Sequence, residues 1–223
     1  VYGMQHIDGE CLSTLKEHVP GLDQESFVEK YEGYCTNDLD LPENVTPEFA
    51  RLFGFLLGDG SIDKYSVTFA EGEYEYQNAY YSDLMKKYFG VCNRYPTKNR
   101  KYTNYTSANT LASELLQKLG FISGARNKRI PSWVFTASDE IKKEFVLGLL
   151  DADGHYRDLV DGFSCEISLC NKHLIEDIKE LWTSLGFCSG HIRHRVRKSE
   201  TRIVGEETEP RTIPETESWE LYL

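Results

Sequence analysis

A chain of 223 residues with 40% apolar and 13% aromatic side chains holds enough material for a packed core, as one large domain or two small ones. Its 14 Tyr, 11 Phe and 3 Trp exclude a disordered tail, and its longest apolar stretches, at 52–58 and 145–150, fall far short of the roughly 18 to 20 residues that cross a bilayer. A formal charge of −11 weakens long-range attraction to nucleic acid, but its distribution decides the matter.

The chain opens with VYGMQHIDGE, which has neither a basic start nor an apolar run; no targeting segment and a cytoplasmic location are expected. Residues 1–50 carry eleven acidic side chains against Lys16 and Lys30, so the other 173 residues are nearly neutral. The acidic extension, residues 1–45, ends in the linker-like TNDLDLPENV. Thr46-Pro47 then predicts a helix start, with Glu48 in its first turn, and that helix closes in LFGFLLGDG. A strand SVTFA (66–70), an amphipathic helix near 75–89, a basic strand pair near 93–106 and a helix near 109–119 ending in Leu-Gly-Phe follow. From Lys86 to Lys101 there are six basic residues and no acid.

The second helix opens at Ser138, with Asp139 and Glu140 in its first turn, and closes in VLGLLDADG. Strands HYRDLV and FSCEISLC (155–170), a helix near 172–185 again ending in Leu-Gly-Phe, the basic segment HIRHRVRK (191–198) and WELYL complete the chain. Gly60 and Gly154 suit left-handed helix caps. Arg193, Arg195 and Arg197, at every second position, share one strand face. Such a row suits a phosphate backbone, with a merely solvated face as the alternative. The six cysteines, at 11, 35, 92, 165, 170 and 188, lack the two-residue spacing of zinc and redox sites and read as reduced, packed thiols.

LFGFLLGDG and VLGLLDADG are copies of one pattern, with Asp59 and Asp153 94 residues apart and similar elements after each. Small residues at four-residue spacing, Gly54 with Gly58 and Gly148 with Ala152, let the two helices pack with backbones nearly touching. That brings Asp59 and Asp153 together. Paired carboxylates can hold a divalent cation, and all-oxygen ligation indicates Mg²⁺, with Mn²⁺ able to substitute. For either copy alone, an Asp-Gly turn would be the simpler reading.

VLGLLDADG differs from the name of the LAGLIDADG homing endonucleases at three positions, and LFGFLLGDG, preceded by TPEFAR, is similar to the first motif of the intein-encoded type. NKRIPSWVF (127–135) resembles the Lys-x-Ile-Pro block of that subgroup. The resemblance spans residues 45–223, and it leaves residues 1–45 as an acidic extension or an intein connection. It implies an α+β fold: duplicated αββαββα halves, 46–130 and 131–223, related by a pseudo-two-fold axis, with two antiparallel sheets forming a DNA-binding saddle. It implies a monomeric, site-specific endonuclease that hydrolyses both strands of a long double-stranded DNA target. Asp59 and Asp153 would be catalytic metal ligands, joined by the carbonyls of Gly58 and Ala152, and Lys128 would polarise the attacking water or stabilise the phosphate. Arg94, Lys98, Arg100, Lys101, Tyr102, Arg193, Arg195 and Arg197 would contact DNA, and a host splicing domain would be a partner. The alternative is a non-cleaving DNA- or RNA-binding regulator or maturase on the same fold.

Several features depart from the family pattern. The first motif has Leu57 where the second has Asp151. A second-half partner for Lys128 is not evident, with Lys198 and Arg202 candidates by location alone. The chain starts at Val1 and stops at WELYL, so no splicing is expected of it and its second half is expected to be shortened.

Overall fold

The computed structural model describes residues 45–72, 75–97, 102–159, 162–202 and 211–223. The acidic extension therefore lies outside the described residues. Thr46 Oγ1 accepts from the backbone N–H of Phe49 at 3.2 Å and starts α1 (Pro47–Asp59), where the missing N–H of Pro47 costs nothing. After α1 come β1 (Gly60–Ile62), β2 (Val67–Glu71), α2 (Glu75–Phe89), β3 (Asn93–Pro96), β4 (Thr103–Ser107) and α3 (Thr110–Lys118). A short α4 (Ser132–Thr136) precedes α5 (Asp139–Asp153), which Ser138 caps. Then follow β5 (Gly154–Leu159), β6 (Gly162–Leu169), α6 (Lys172–Ser184), β7 (Arg193–Arg197), β8 (Glu200–Arg202), β9 (Arg211–Ile213) and β10 (Thr216–Tyr222).

Two four-stranded antiparallel sheets result, ordered β1-β2-β4-β3 and β5-β6-β10-β7, so β10 occupies in one sheet the place β4 has in the other. The register from Arg197↔Thr216 continues through Glu200↔Ile213 to Arg202↔Arg211. The second hairpin thus runs past its sheet as a two-stranded ribbon. Its counterpart, β3 with β4, pairs from Asn93↔Thr106 to Pro96↔Thr103 among the described residues.

The core forms around α1 and α5. Phe53 packs edge-on against Trp133 at 5.7 Å and Phe121 at 6.0 Å between ring centroids, and Phe55 stacks on Tyr81 at 3.5 Å. Phe53, Phe55, Leu56, Leu57, Phe145 and Leu149 are almost wholly buried, each contributing about 1.5–3 kcal/mol of transfer free energy. No helix among the described residues is long and apolar enough to cross a membrane.

Gly60 and Gly154 depart from the expected left-handed caps. Both are extended, at φ −78° and −76°, because a strand begins there without a turn. Their need for glycine is steric instead: a Cβ would lie 2.3 Å from the Leu56 carbonyl oxygen or 2.4 Å from that of Leu150. The cysteines also differ from expectation. Cys165 is buried, but Cys170 and Cys188 are exposed, one just after β6 and one in the loop after α6.

Candidate active site

α1 and α5 meet along their small residues. A Cβ at Gly54 would fall 2.0 Å from the Phe145 carbonyl oxygen, one at Gly148 2.1 Å from that of Arg51, and one at Gly58 2.4 Å from the Ala152 Cβ. The backbones therefore touch, and the helix ends that carry Asp59 and Asp153 converge. The Asp153 carboxylate lies across the interface against Gly58, its Oδ2 3.0 Å from where a Cβ there would be. Burial, and then the nearby charge of Asp59, push the Asp153 carboxyl up to about 6, with Lys128 opposing. Asp59 is the more exposed of the two.

Lys128 is 7% exposed, and its Nζ donates to the carbonyls of Gly58 at 2.5 Å and Gly60 at 3.1 Å. Burial lowers its pKa, against the attraction of Asp153 and Asp59. The chain around it is pinned to the second half. Arg129 grips Asp177 of α6 through two bonds of 2.6 and 2.7 Å, and Asn171 Nδ2 donates to the Lys128 carbonyl at 2.6 Å. Trp133 Nε1 donates to the Leu119 carbonyl at 2.9 Å and anchors the other flank. A buried ammonium carries a large desolvation cost. Two carbonyl acceptors and two carboxylates within electrostatic range offset it here.

Among the described residues, no three His, Cys, Asp or Glu side chains gather to hold a metal by themselves. The groups at the helix ends still fit a hard cation. They are oxygen donors only, and one carboxyl is held protonated to unusually high pH by burial and a like charge, a cost that a cation would relieve. Asp59, Asp153 and the Gly58 and Ala152 carbonyls would hold it, completed by phosphate or water oxygens.

Asp151 serves a different purpose. Arg51 of α1 donates to its Oδ2 at 3.0 Å from Nε and 2.7 Å from Nη2, and reaches Glu144 at 3.0 Å. Tyr81 of α2 also donates to Asp151 Oδ2, and Gln77 Nε2 caps the Asp151 carbonyl at 2.7 Å. Burial, and then the Asp151 hydrogen bond, raise the Tyr81 pKa. This cluster was not legible from the sequence. The one signal was the mismatch of Leu57 with Asp151.

Register separates the remaining candidates. In the second sheet Arg193, Arg195 and Arg197 share the face opposite buried Ile167 and Leu221, together with Arg157, Glu166 and Glu220. Arg195 pairs with Glu220 at 2.8 Å, Arg157 with Glu166 at 2.7 Å, and Arg193 lies 5.0 Å from the Tyr222 ring centroid. In the first sheet Arg94 pairs with buried Tyr105, which places it on the helix-side register. Tyr102 lies just before β4, while Lys98, Arg100 and Lys101 fall outside the described residues. Lys198 and Arg202 belong to the ribbon rather than to the helix ends.

Residues 129–208 match the homing endonuclease family model. The whole chain is 24% identical, over 98% of its length, to a glutamine–fructose-6-phosphate aminotransferase of Methanocaldococcus jannaschii. Over 39% of its length it is 30% identical to an iron–sulfur cluster assembly SufBD family protein of Mycobacterium leprae. The matched segments make up 20% and 10% of those two proteins. The crystal structure of the homing endonuclease I-DmoI with DNA and Ca superposes with a TM-score of 0.50 at 15% identity, covering 79% of this chain and 82% of that one. With its paired helices and two antiparallel sheets, the chain has the α+β fold of the LAGLIDADG homing endonucleases.

Proposed function

We propose that this chain is a metal-dependent, site-specific double-strand DNA endonuclease of the intein-encoded type. The observation that carries the reading is the convergence of Asp59 and Asp153 at the touching ends of α1 and α5, with Lys128 buried beside them. The matching strand orders support division into halves at 46–130 and 131–223, and two fused halves would need no partner copy. Insertion into host proteins is supported by the two relatives, whose names describe unrelated proteins and of which the matched segment is a small part.

Phosphodiester hydrolysis adds a water oxygen to phosphorus and expels one ester oxygen. A divalent cation, Mg²⁺ or Mn²⁺, when bound supplies charge neutralisation at the phosphate and acidifies water. Asp59 and Asp153 would hold that cation at the helix ends, and so fix where a phosphate bound to it can sit. Lys128 spends two of its three N–H donors on Gly58 and Gly60, which leaves one for a phosphate oxygen or the attacking water. Its lowered pKa lets it release and regain a proton more readily than an exposed lysine.

The test is Mg²⁺-dependent cleavage of a randomised duplex library by the chain and by its Asp153→Asn variant. Discrete double-strand breaks lost in the variant support the reading. Salt-sensitive binding without breaks assigns the chain to the non-cleaving regulators or maturases.

A further inference from the structure

Two charged side chains are buried among the described residues, Lys128 and Asp177, at 7% and 5% exposure. Asp177 stands on the buried face of α6, among Leu174, Ile175, Ile178 and Leu181. A carboxylate there is costly, and an apolar side chain of similar size would pack at least as well. Its bonds show what it holds. They come from the two residues after Lys128: Arg129 donates from Nε at 2.6 Å and from Nη2 at 2.7 Å, and the Ile130 backbone N–H donates at 3.1 Å. Asn171, 4% exposed at the start of α6, takes the other side of the same segment. Its Oδ1 caps the helix at the Leu174 N–H, 3.1 Å away, while its Nδ2 donates to the carbonyls of Ala125 at 3.2 Å and Lys128 at 2.6 Å. The corresponding helix of the first half grips something else. Gly90 and Gly186, both at positive φ behind their helices, are 96 positions apart, and the same shift carries Tyr81 onto Asp177. Tyr81 of α2 reaches Asp151 on the second motif helix itself, whereas α6 reaches the segment that delivers Lys128 to the end of the first.

We infer that Asp177 and Asn171 are positioning residues: α6, in the second half, fixes the backbone on both sides of Lys128 and so sets where its ammonium stands at the end of α1, in the first. This rests on the endonuclease reading above. Both side chains act through the Lys128 segment rather than on a substrate. That segment lies between α3 and α4, in no helix or strand, so no regular ladder of backbone bonds holds it. A lysine stem is long and flexible, and the place of its ammonium depends on where the stem is rooted. A displacement of about 1 Å there is enough to cost a reaction roughly 100-fold. Stability alone does not call for a buried carboxylate on α6, but orientation of this segment does. Residues 46–130 thus include Lys128 without the helix that seats it.

The test has two readouts on the full chain. Hydrogen–deuterium exchange of the free protein follows the backbone of residues 124–131. Asn171→Ser retains a capping oxygen but not the amide donor, and Arg129→Gln removes an ion-pair partner whose side chain is 54% exposed, so neither takes an apolar side chain from the core. Each is expected to raise exchange in 124–131 by roughly threefold or more and to leave α1 and α5 at the wild-type rate. Unchanged exchange in that segment, or an equal rise throughout, overturns the clamp. The second readout is single-turnover cleavage, with Mg²⁺, of the duplex that the wild type cuts from a randomised library. Asn171→Ser, Arg129→Gln and Asp177→Asn are expected to lower the rate roughly tenfold or more at unchanged affinity. In a Lys128→Met background, where no ammonium is left to place, each should lower it no further. Full additivity with Lys128→Met, or a loss of affinity in proportion to the rate, overturns the positioning role and leaves the endonuclease reading intact. A wild type that cuts no duplex overturns that reading and with it the catalytic consequence, while the exchange result decides by itself whether α6 holds the segment.

Discussion

The α-carbon of Gly54 faces the Phe145 carbonyl so closely that a methyl group there would sit 2.0 Å from its oxygen. Gly54→Ala must therefore push α1 and α5 apart along their whole contact, because the obstacle is backbone and cannot rotate away. We expect a loss of about 3 kcal/mol or more, read as a lower urea midpoint. Gly186→Ala is the control. With φ at +84° but nothing within 4 Å of the added methyl, it should cost only about 1 kcal/mol of backbone strain.

Lys128→Met keeps the length of the stem but removes the ammonium from the Gly58 and Gly60 carbonyls. Cleavage should fall by about 10²- to 10³-fold, while affinity for the target changes little. Single-turnover assays at saturating enzyme separate the two. A proportionate loss of binding would make Lys128 a phosphate anchor rather than part of the chemistry.

The Asp153 carboxyl is held near 6 in the fold, whereas an unfolded chain titrates near 4. The fold thus favours the protonated form. Its contribution to stability is full below about pH 4, shrinks as pH rises, and is gone above about pH 6. In metal-free buffer the wild type should lose stability between pH 5 and pH 7, and Asp153→Asn should lose less. Millimolar Mg²⁺ should restore the wild type at pH 7 and leave the variant unmoved. Urea titrations at the two pH values, with and without the cation, measure all four cases.

Arg51 and Asp151 are each about one-fifth exposed, 19% and 24%, so part of their attraction is screened. Arg51→Met leaves Asp151 without its cation and beside Glu144, whereas Asp151→Leu leaves Arg51 its 3.0 Å bond to Glu144; the first should cost about 1–3 kcal/mol and the second less. The double replacement should cost less than the sum of the two. A double-mutant cycle in urea gives the coupling directly.

Much of the architecture was legible because period and punctuation agreed. Thr46-Pro47 and Ser138 marked the helix starts, alternation marked β7, and the copied motif marked α1 and α5 as partners. β1 is not legible, because Gly60 reads as a cap and the strand it opens is only three residues long, whereas HYRDLV signals β5 after the equivalent Gly154. Nothing local to the first motif says that its helix passes straight into a strand. Charge alone groups Arg94 with the strand arginines, but which face it joins depends on pairing with Tyr105, a long-range fact. The Arg51–Asp151 contact joins residues 100 positions apart, and its signal was confined to a break in the repeat.

That break has a consequence for assembly. Shifting by the 94 residues that relate the motifs, Arg51 corresponds to Phe145, Asp151 to Leu57 and Glu144 to Ala50. One flank of the helix pair is therefore ionic and the other is apolar. Two copies of α1 facing each other would oppose guanidinium to leucine on both flanks, and two copies of α5 would oppose carboxylate to phenylalanine. Each motif helix has become a poor match for itself and a good match for the other. Two identical copies of either helix would therefore pair poorly, whereas α1 and α5 present complementary surfaces that do not interchange.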